Sequence, residues 1–252
     1  MERMTSSPEI MPPATRPAGP RGTQMIAPAW HTAVLVAVLG AFSLFSAHSQ
    51  HRFAAVHGRA TLYALTIVWE WLLVGYIVLG LHRRQMTLRG LIGRRWSSPE
   101  AVLSDVLLSL GFWFAAALVL AWIASGLGLG HGQALAETRQ KLGFLVPQGR
   151  GELILFLLLS ATAGFCEEII FRGYLQRQFA AWTHSAFAGM ILQALIFGAG
   201  HGYEGSSRML LITIFGAMFG ALALARNSLR PGMLAHFFHD ATAGLVLRRL
   251  VS

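Results

Sequence analysis

The chain has 252 residues, 54% of them hydrophobic and only 12% charged, with a mean hydropathy of +0.54. A soluble domain carries about a quarter charged residues, and half that density leaves too little polar material to cover a globule in water. An ordinary soluble enzyme is therefore excluded. The net charge of +9 does not point to nucleic acid, because most Lys and Arg sit in short loops between apolar runs, as in a membrane protein whose basic loops lie beside anionic lipid.

Residues 1–28 are rich in Pro, Ser, Thr and Arg without apolar periodicity, and read as a disordered tail. No apolar region lies close to the start, so a cleaved signal is not expected. Seven apolar runs follow: Trp30–Ala47, Leu62–Leu81, Val102–Ile123, Leu153–Phe171, Ala186–Ala199, Met209–Ala225 and Met233–Leu247. A polar stretch with His48, His51, Arg52, His57 and Arg59 separates the first two. The most basic loop, with Arg83, Arg84, Arg89, Arg94 and Arg95, follows the second, and its middle (Met86–Trp96) fits a short amphipathic helix on the membrane surface. The Gly-rich segment Gly126 to Gly132 reads as a turn, since it lacks the strand and helix of a phosphate loop.

At roughly 20 apolar residues per span, the chain is an all-α, polytopic membrane protein, a compact bundle of about seven transmembrane helices. It divides into the tail (1–28), an N-terminal set of helices with the basic loop (29–150) and a C-terminal helical core (151–252). No internal repeat is evident. With the N-terminus cytoplasmic, the inside segments hold about twelve of the 20 Lys and Arg residues, the bias that orients membrane proteins.

Ionisable residues inside spans cost roughly 2.5–3.5 kcal/mol each on insertion scales and face a partner or a cavity. The first three runs contain few, notably Glu70, between Trp69 and Trp71, and Asp105. Structural pairing or protonation accounts for Glu70 without a function, so Glu70→Gln is expected to be silent. The last four runs differ, with Glu167, Glu168, Arg172, His201, His236, His239 and Asp240 in or beside apolar segments. On a helix Glu168 and Arg172 share a face and can pair. Glu167 is turned about 100° away and is left free. His236 and Asp240 are also four apart, just after Pro231-Gly232, which starts their helix. A structural reading of each cluster stands beside the functional one: a charge network at a helix end, an interfacial cap at His201, a buried His–Asp hydrogen bond. Gly216-x-x-x-Gly220 permits close helix packing, and Cys166 reads as a small buried filler.

The order Glu-Glu-x-x-x-Arg (Glu167 to Arg172), Phe-x-x-x-His (Phe197 to His201), His-x-x-x-Asp (His236 to Asp240) on successive hydrophobic helices resembles the CAAX-protease and bacteriocin-processing (CPBP, or ABI) family of intramembrane proteases. Phe171-Arg172-Gly173-Tyr174-Leu175 is similar to that family's first motif. The resemblance covers roughly Gly151–Leu247; many members have Asn where this chain has Asp240. Signatures of serine, aspartyl and ordinary zincin proteases (Gly-x-Ser-Gly, Gly-x-Gly-Asp, His-Glu-x-x-His) are absent from the sequence.

The resemblance implies an intramembrane endopeptidase acting on a membrane-associated peptide or lipidated protein, by CAAX-type or bacteriocin-type processing. The implied home is a bacterial inner membrane. Glu167 would be the general base, His201 would orient the water, and His236 and Asp240 would polarise the carbonyl or complete the site. Glu168–Arg172 would hold the geometry. The resemblance leaves metallo- and glutamate-type chemistry open and leans to the metallo-type, with Zn²⁺ on Glu167, His201 and His236. From another class, a transporter or an immunity-type scaffold would use the same polar residues for proton handling or packing. Chain lengths predict that about 16 residues from Glu167 to a turn near Thr183, then about 18 back, return His201 to the level of Glu167. For His236 and Asp240 to reach that depth, the Arg172–His184 hairpin would project beyond the membrane, as its Gln and Arg content suggests.

Overall fold

The computed structural model describes residues 24–93, 95–128 and 140–251. Among these, all regular structure is helical. In hydrocarbon an unpaired backbone group costs several kcal/mol, and a helix pairs its groups within its own segment. The helices are α1 (Ala29–His57), α2 (Arg59–His82), α3 (Leu88–Ile92), α4 (Pro99–Gly126), α5 (Arg150–Thr183), α6 (Ala186–Gly200), α7 (Ser206–Arg226) and α8 (Arg230–Val251). α1, α2, α4, α5 and α7 are long and apolar enough to cross a membrane, as expected of an integral membrane protein. α6 is apolar but has 15 residues, about 22 Å at 1.5 Å per residue. All seven apolar runs are thus helical, while five meet the length and composition of a full span.

Several boundaries differ from the sequence reading. The polar stretch after the first run is not a loop: α1 continues through His48, His51 and Arg52 to His57, and Gly58 alone, at φ 83°, turns the chain into α2. Low hydropathy marks where lipid contact ends, not where the helix does. The surface helix expected over Met86–Trp96 is only the five residues of α3, capped by Thr87. Leu91 is fully buried, so α3 docks on the bundle. The tail and the Gly-rich turn lie mostly outside the described residues. Ile26 and Ala27, at the end of that tail, are buried, and their amides donate to Gln178 Oε1 at 3.0 and 3.4 Å.

Gln178 shows why the α5 hairpin does not need to stand in water. Its Nε2 donates to Ala27 O, and that of Gln176 to Gly220 O. Both glutamines are buried. Arg177 donates to Gly90 O and Leu91 O. The polar content expected to mark a projecting hairpin instead satisfies backbone carbonyls of neighbouring segments.

α5 turns into α6 through His184, in the left-handed region at φ 54°, and Ser185 caps α6 by accepting from Ala188 N. The start of α8 is held by α4, where Ser109 Oγ donates to Pro231 O at 2.9 Å, and by α3, where Leu229 N donates to Ile92 O. Asp105 is structural: it accepts from the Trp96 indole at 2.8 Å and pairs with Arg226 at 3.3 Å.

Candidate active site

The site forms where α5, the end of α6 and the first turns of α8 meet. Along α5 the regular helix changes at Glu168 to a wider, π-type stretch that runs to Leu175. Such local widening is common at functional sites. Glu167 and Glu168 have ordinary helical backbone at the head of this stretch, and both side chains reach the same imidazole. His236 Nδ1 lies 3.2 Å from Glu168 Oε1, and His236 Nε2 lies 3.6 Å from Glu167 Oε2.

The two glutamates differ in surroundings. Glu168 and Arg172 both have fully buried side chains, and Arg172 Nη1 stands 3.0 Å from Glu168 Oε1, an ion pair that is close but not aligned as a hydrogen bond. Arg172 Nη2 donates to Gly216 O at 3.3 Å, and the guanidinium lies 4.4 Å from the centre of the Phe197 ring. Glu167 keeps 18% side-chain exposure, and its Oε2 has no hydrogen-bond partner. The expected Glu168–Arg172 pair is present, whereas Glu167 lies against His236 rather than Arg172. Glu168, however, also touches His236 directly.

Asp240 Oδ2 is 3.8 Å from His236 Nε2, too far for the His–Asp hydrogen bond that the spacing suggested. The short contact of His236 goes to Glu168 instead. His201 closes α6, with Nδ1 donating to Phe197 O at 2.9 Å. It packs on Phe197, whose ring centre is 4.9 Å from that of His201 and 6.1 Å from that of His236. The α5–α6 hairpin thus brings His201 back to the site, against the same phenylalanine as His236. His239 packs on Phe215, with ring centres 4.5 Å apart and planes tilted by 40°.

The expected Zn²⁺ ligands Glu167, His201 and His236 do not assemble as a set. Among the described residues no three His, Cys, Asp or Glu side chains converge closely enough to hold a metal. His236 presents its Nδ1 to Glu168.

Two contributors escaped the sequence reading. Tyr203, in a 3₁₀ turn (Gly202–Glu204) just after His201, lies 5.9 Å from that ring. Burial pushes its phenol well above the ordinary value, helped by Glu204, Glu167, Asp240 and a hydrogen bond to the Glu204 side chain. A tyrosine two residues past a motif histidine is the only signal the sequence offered. The other is Gly232. A Cβ there would stand 2.9 Å from Glu168 Oε2, so α8 approaches α5 closely because this residue has no side chain. Gly216 plays the same part for α7, where a Cβ would meet Phe197 at 3.0 Å. The Gly216-x-x-x-Gly220 motif thus allows close packing, and its two carbonyls receive Arg172 and Gln176.

Residues 149–242 match the family model described as type II CAAX prenyl endopeptidase Rce1-like. This stretch is similar to the Rce1-like peptidases, consistent with the CPBP resemblance. The match begins one residue before α5 and ends within α8, so it contains all three motifs and leaves out α1 to α4. The family is one of peptidases. Neither the curated proteins nor the solved structures compared with the chain gave a match.

Gly232→Ala in this stretch is expected to lower activity more than fold. The added methyl displaces Glu168 and with it His236, and a small misplacement of a catalytic group costs up to about 100-fold. Specific activity beside thermal stability of the purified variant checks this, with unchanged specific activity as the contrary result.

Proposed function

We propose that the protein is a glutamate-dependent intramembrane endopeptidase that removes a short C-terminal peptide from a lipidated protein. The observation that carries this is the contrast between Glu168, sealed against Arg172, and Glu167, partly open and with an unpartnered oxygen beside His236. Glu167 takes a proton from a water while the water oxygen bonds to the scissile carbonyl carbon. The His201 Nε2, with its Nδ1 committed to Phe197 O, accepts from and orients that water.

The developing oxyanion needs donors. Asp240 as a carboxylate only accepts, so in this chain the donor role falls to the Tyr203 O–H and the His236 ring. Collapse of the intermediate breaks the C–N bond, and the proton held by Glu167 passes to the leaving amine. Glu168 and Arg172 fix His236 from behind, and Asp240 steadies its Nε2 side. The protein is read as lying in a bacterial inner membrane with the N-terminus cytoplasmic. This agrees with the meeting of the Arg-rich loop, Arg177, Arg226 and Arg230 at one end of the bundle.

The test is release of the C-terminal tripeptide from a farnesylated CAAX peptide by the purified chain in lipid vesicles, with and without a zinc chelator. Release insensitive to chelation supports the reading; a folded protein that releases nothing from farnesylated or other membrane-anchored peptides contradicts it. Tyr203→Phe in the same assay should lower kcat by about 10²–10³, as for removal of one oxyanion donor, with KM little changed. An unaltered kcat would remove Tyr203 from the mechanism.

A further inference from the structure

Beside α3 the structure contains a cavity that the chemistry at Glu167 does not use. It has a volume of about 400 Å³ and is lined by Thr87, Arg89, Gly90 and Gly93 of the α2–α4 connection, Arg177 of α5 and Asn227 between α7 and α8. Two of the six are arginines and none is acidic.

Special backbone builds its walls. Gly93 stands at φ 102°, and a Cβ there would meet Asn227 O and Ser228 Cα at 3.0 Å, so the α2–α4 connection lies directly on the α7–α8 corner. Asn227 turns that corner in the left-handed region, at φ 47°. Leu229 N donates to Ile92 O, and Arg230 Nη2 to Gly93 O, which ties the two segments together. Arg177 is held in advance: its Nη1 and Nη2 donate to Gly90 O and Leu91 O at 3.1 and 2.9 Å. These bonds fix the plane of the guanidinium and leave it further N–H donors. A cation fixed before its ligand arrives loses less freedom on binding.

Three neighbouring cations are already engaged. Arg226 pairs with Asp105, Arg230 lies 5.1 Å from the centre of the Trp96 ring, and Arg83 lies 5.5 Å from that of Trp30. Arg89 differs: it is exposed and forms no ion pair among the described residues. Thr87 Oγ1 accepts from Gly90 N, which leaves its own O–H to donate. Planar arginine forks with neutral donors beside them match the oxygens of a phosphate. The level in the bundle also suits one. α2 and α7 end here and α4 and α8 begin here, and Trp30 and Trp96 are exposed at the same end, as indoles are where spans leave the hydrocarbon.

We propose that this cavity binds a phosphate group, with Arg89 and Arg177 on its oxygens and Thr87 and Asn227 as neutral donors. The phosphate belongs to an anionic lipid headgroup or is free in solution. When bound, it braces α3 against α5 and the corner from which α8 starts.

The experiment follows the melting temperature of the full chain in phosphatidylcholine vesicles. In one arm phosphatidic acid is added to the bilayer; in the other, inorganic phosphate is added to the buffer at constant ionic strength. A ligand of the folded state raises the melting temperature with its concentration. A rise with phosphatidic acid only assigns the site to lipid, and a rise with inorganic phosphate assigns it to the free group. Arg89→Glu should weaken the response by about tenfold or more, as for loss of a hydrogen bond to a charged group, and Arg89→Gln should weaken it in the same direction. Both should melt like wild type without ligand, since Arg89 is exposed. Arg84→Glu, exposed on the same connection but outside the cavity, should respond as wild type does. No rise in either arm overturns the proposal, and so does equal weakening in Arg84→Glu and Arg89→Glu, which would mean a diffuse attraction to the basic surface.

Discussion

Glu167→Gln and His236→Ala should each lower peptide cleavage by about 10²–10⁴, the contribution of a positioned general acid–base group, while the protein remains folded and membrane-inserted. Glu167 is partly exposed and makes no ion pair with Arg172, so its amide analogue leaves the buried network intact. His236 is the point at which α8 reads both glutamates, at 3.2 Å and 3.6 Å, and its truncation disconnects them. His201→Ala should also abolish cleavage, through loss of water orientation rather than of the carboxylate network. Normal cleavage by any of the three variants would remove that residue from the mechanism.

Arg172→Ala should act first on the fold. Its side chain and that of Glu168 are fully buried, and removing one partner leaves a carboxylate without compensation, a loss of about 3–5 kcal/mol. The deletion also removes the donor to Gly216 O and the cation over the Phe197 ring, loosening α6 and α7 around the site. Less folded protein should be recovered from membranes, and its melting temperature should fall. The double variant Glu168→Gln with Arg172→Met should recover part of the stability, because neither replacement buries a charge. It should not recover activity, since Glu168 also holds His236. Wild-type melting of Arg172→Ala would show that the pair contributes nothing.

The seven apolar runs were legible because lipid permits little else than a helix where hydropathy stays high. Their ends were not. His48 to His57 are polar enough to leave the hydrocarbon yet continue α1, and the chain turns only where Gly58 supplies a positive φ. The Glu168–Arg172 pair was readable from its spacing. The joint approach of Glu167 and Glu168 to His236 was not, because it depends on where the packing of α8 sets the His236 ring between the two side chains. Gln176 and Gln178, expected to mark a hairpin that projects beyond the membrane, are buried. In a membrane bundle a buried amide is a way of pairing backbone carbonyls where helices approach or end, and both are used so. The site's closeness depends on Gly232 and Gly216, whose meaning lies in what a Cβ would strike, and that is a property of the packed helices rather than of the local sequence.

The most direct test is a comparison of peptides released from membranes carrying the wild-type protein with those from membranes carrying equal amounts of Glu167→Gln, read by mass spectrometry. A set of short C-terminal peptides from lipidated or membrane-anchored proteins, present with the wild type and missing with Glu167→Gln, is the result predicted here. Identical peptide sets from the two membranes would contradict Glu167-dependent proteolysis and favour a binding or transport role for the same buried residues.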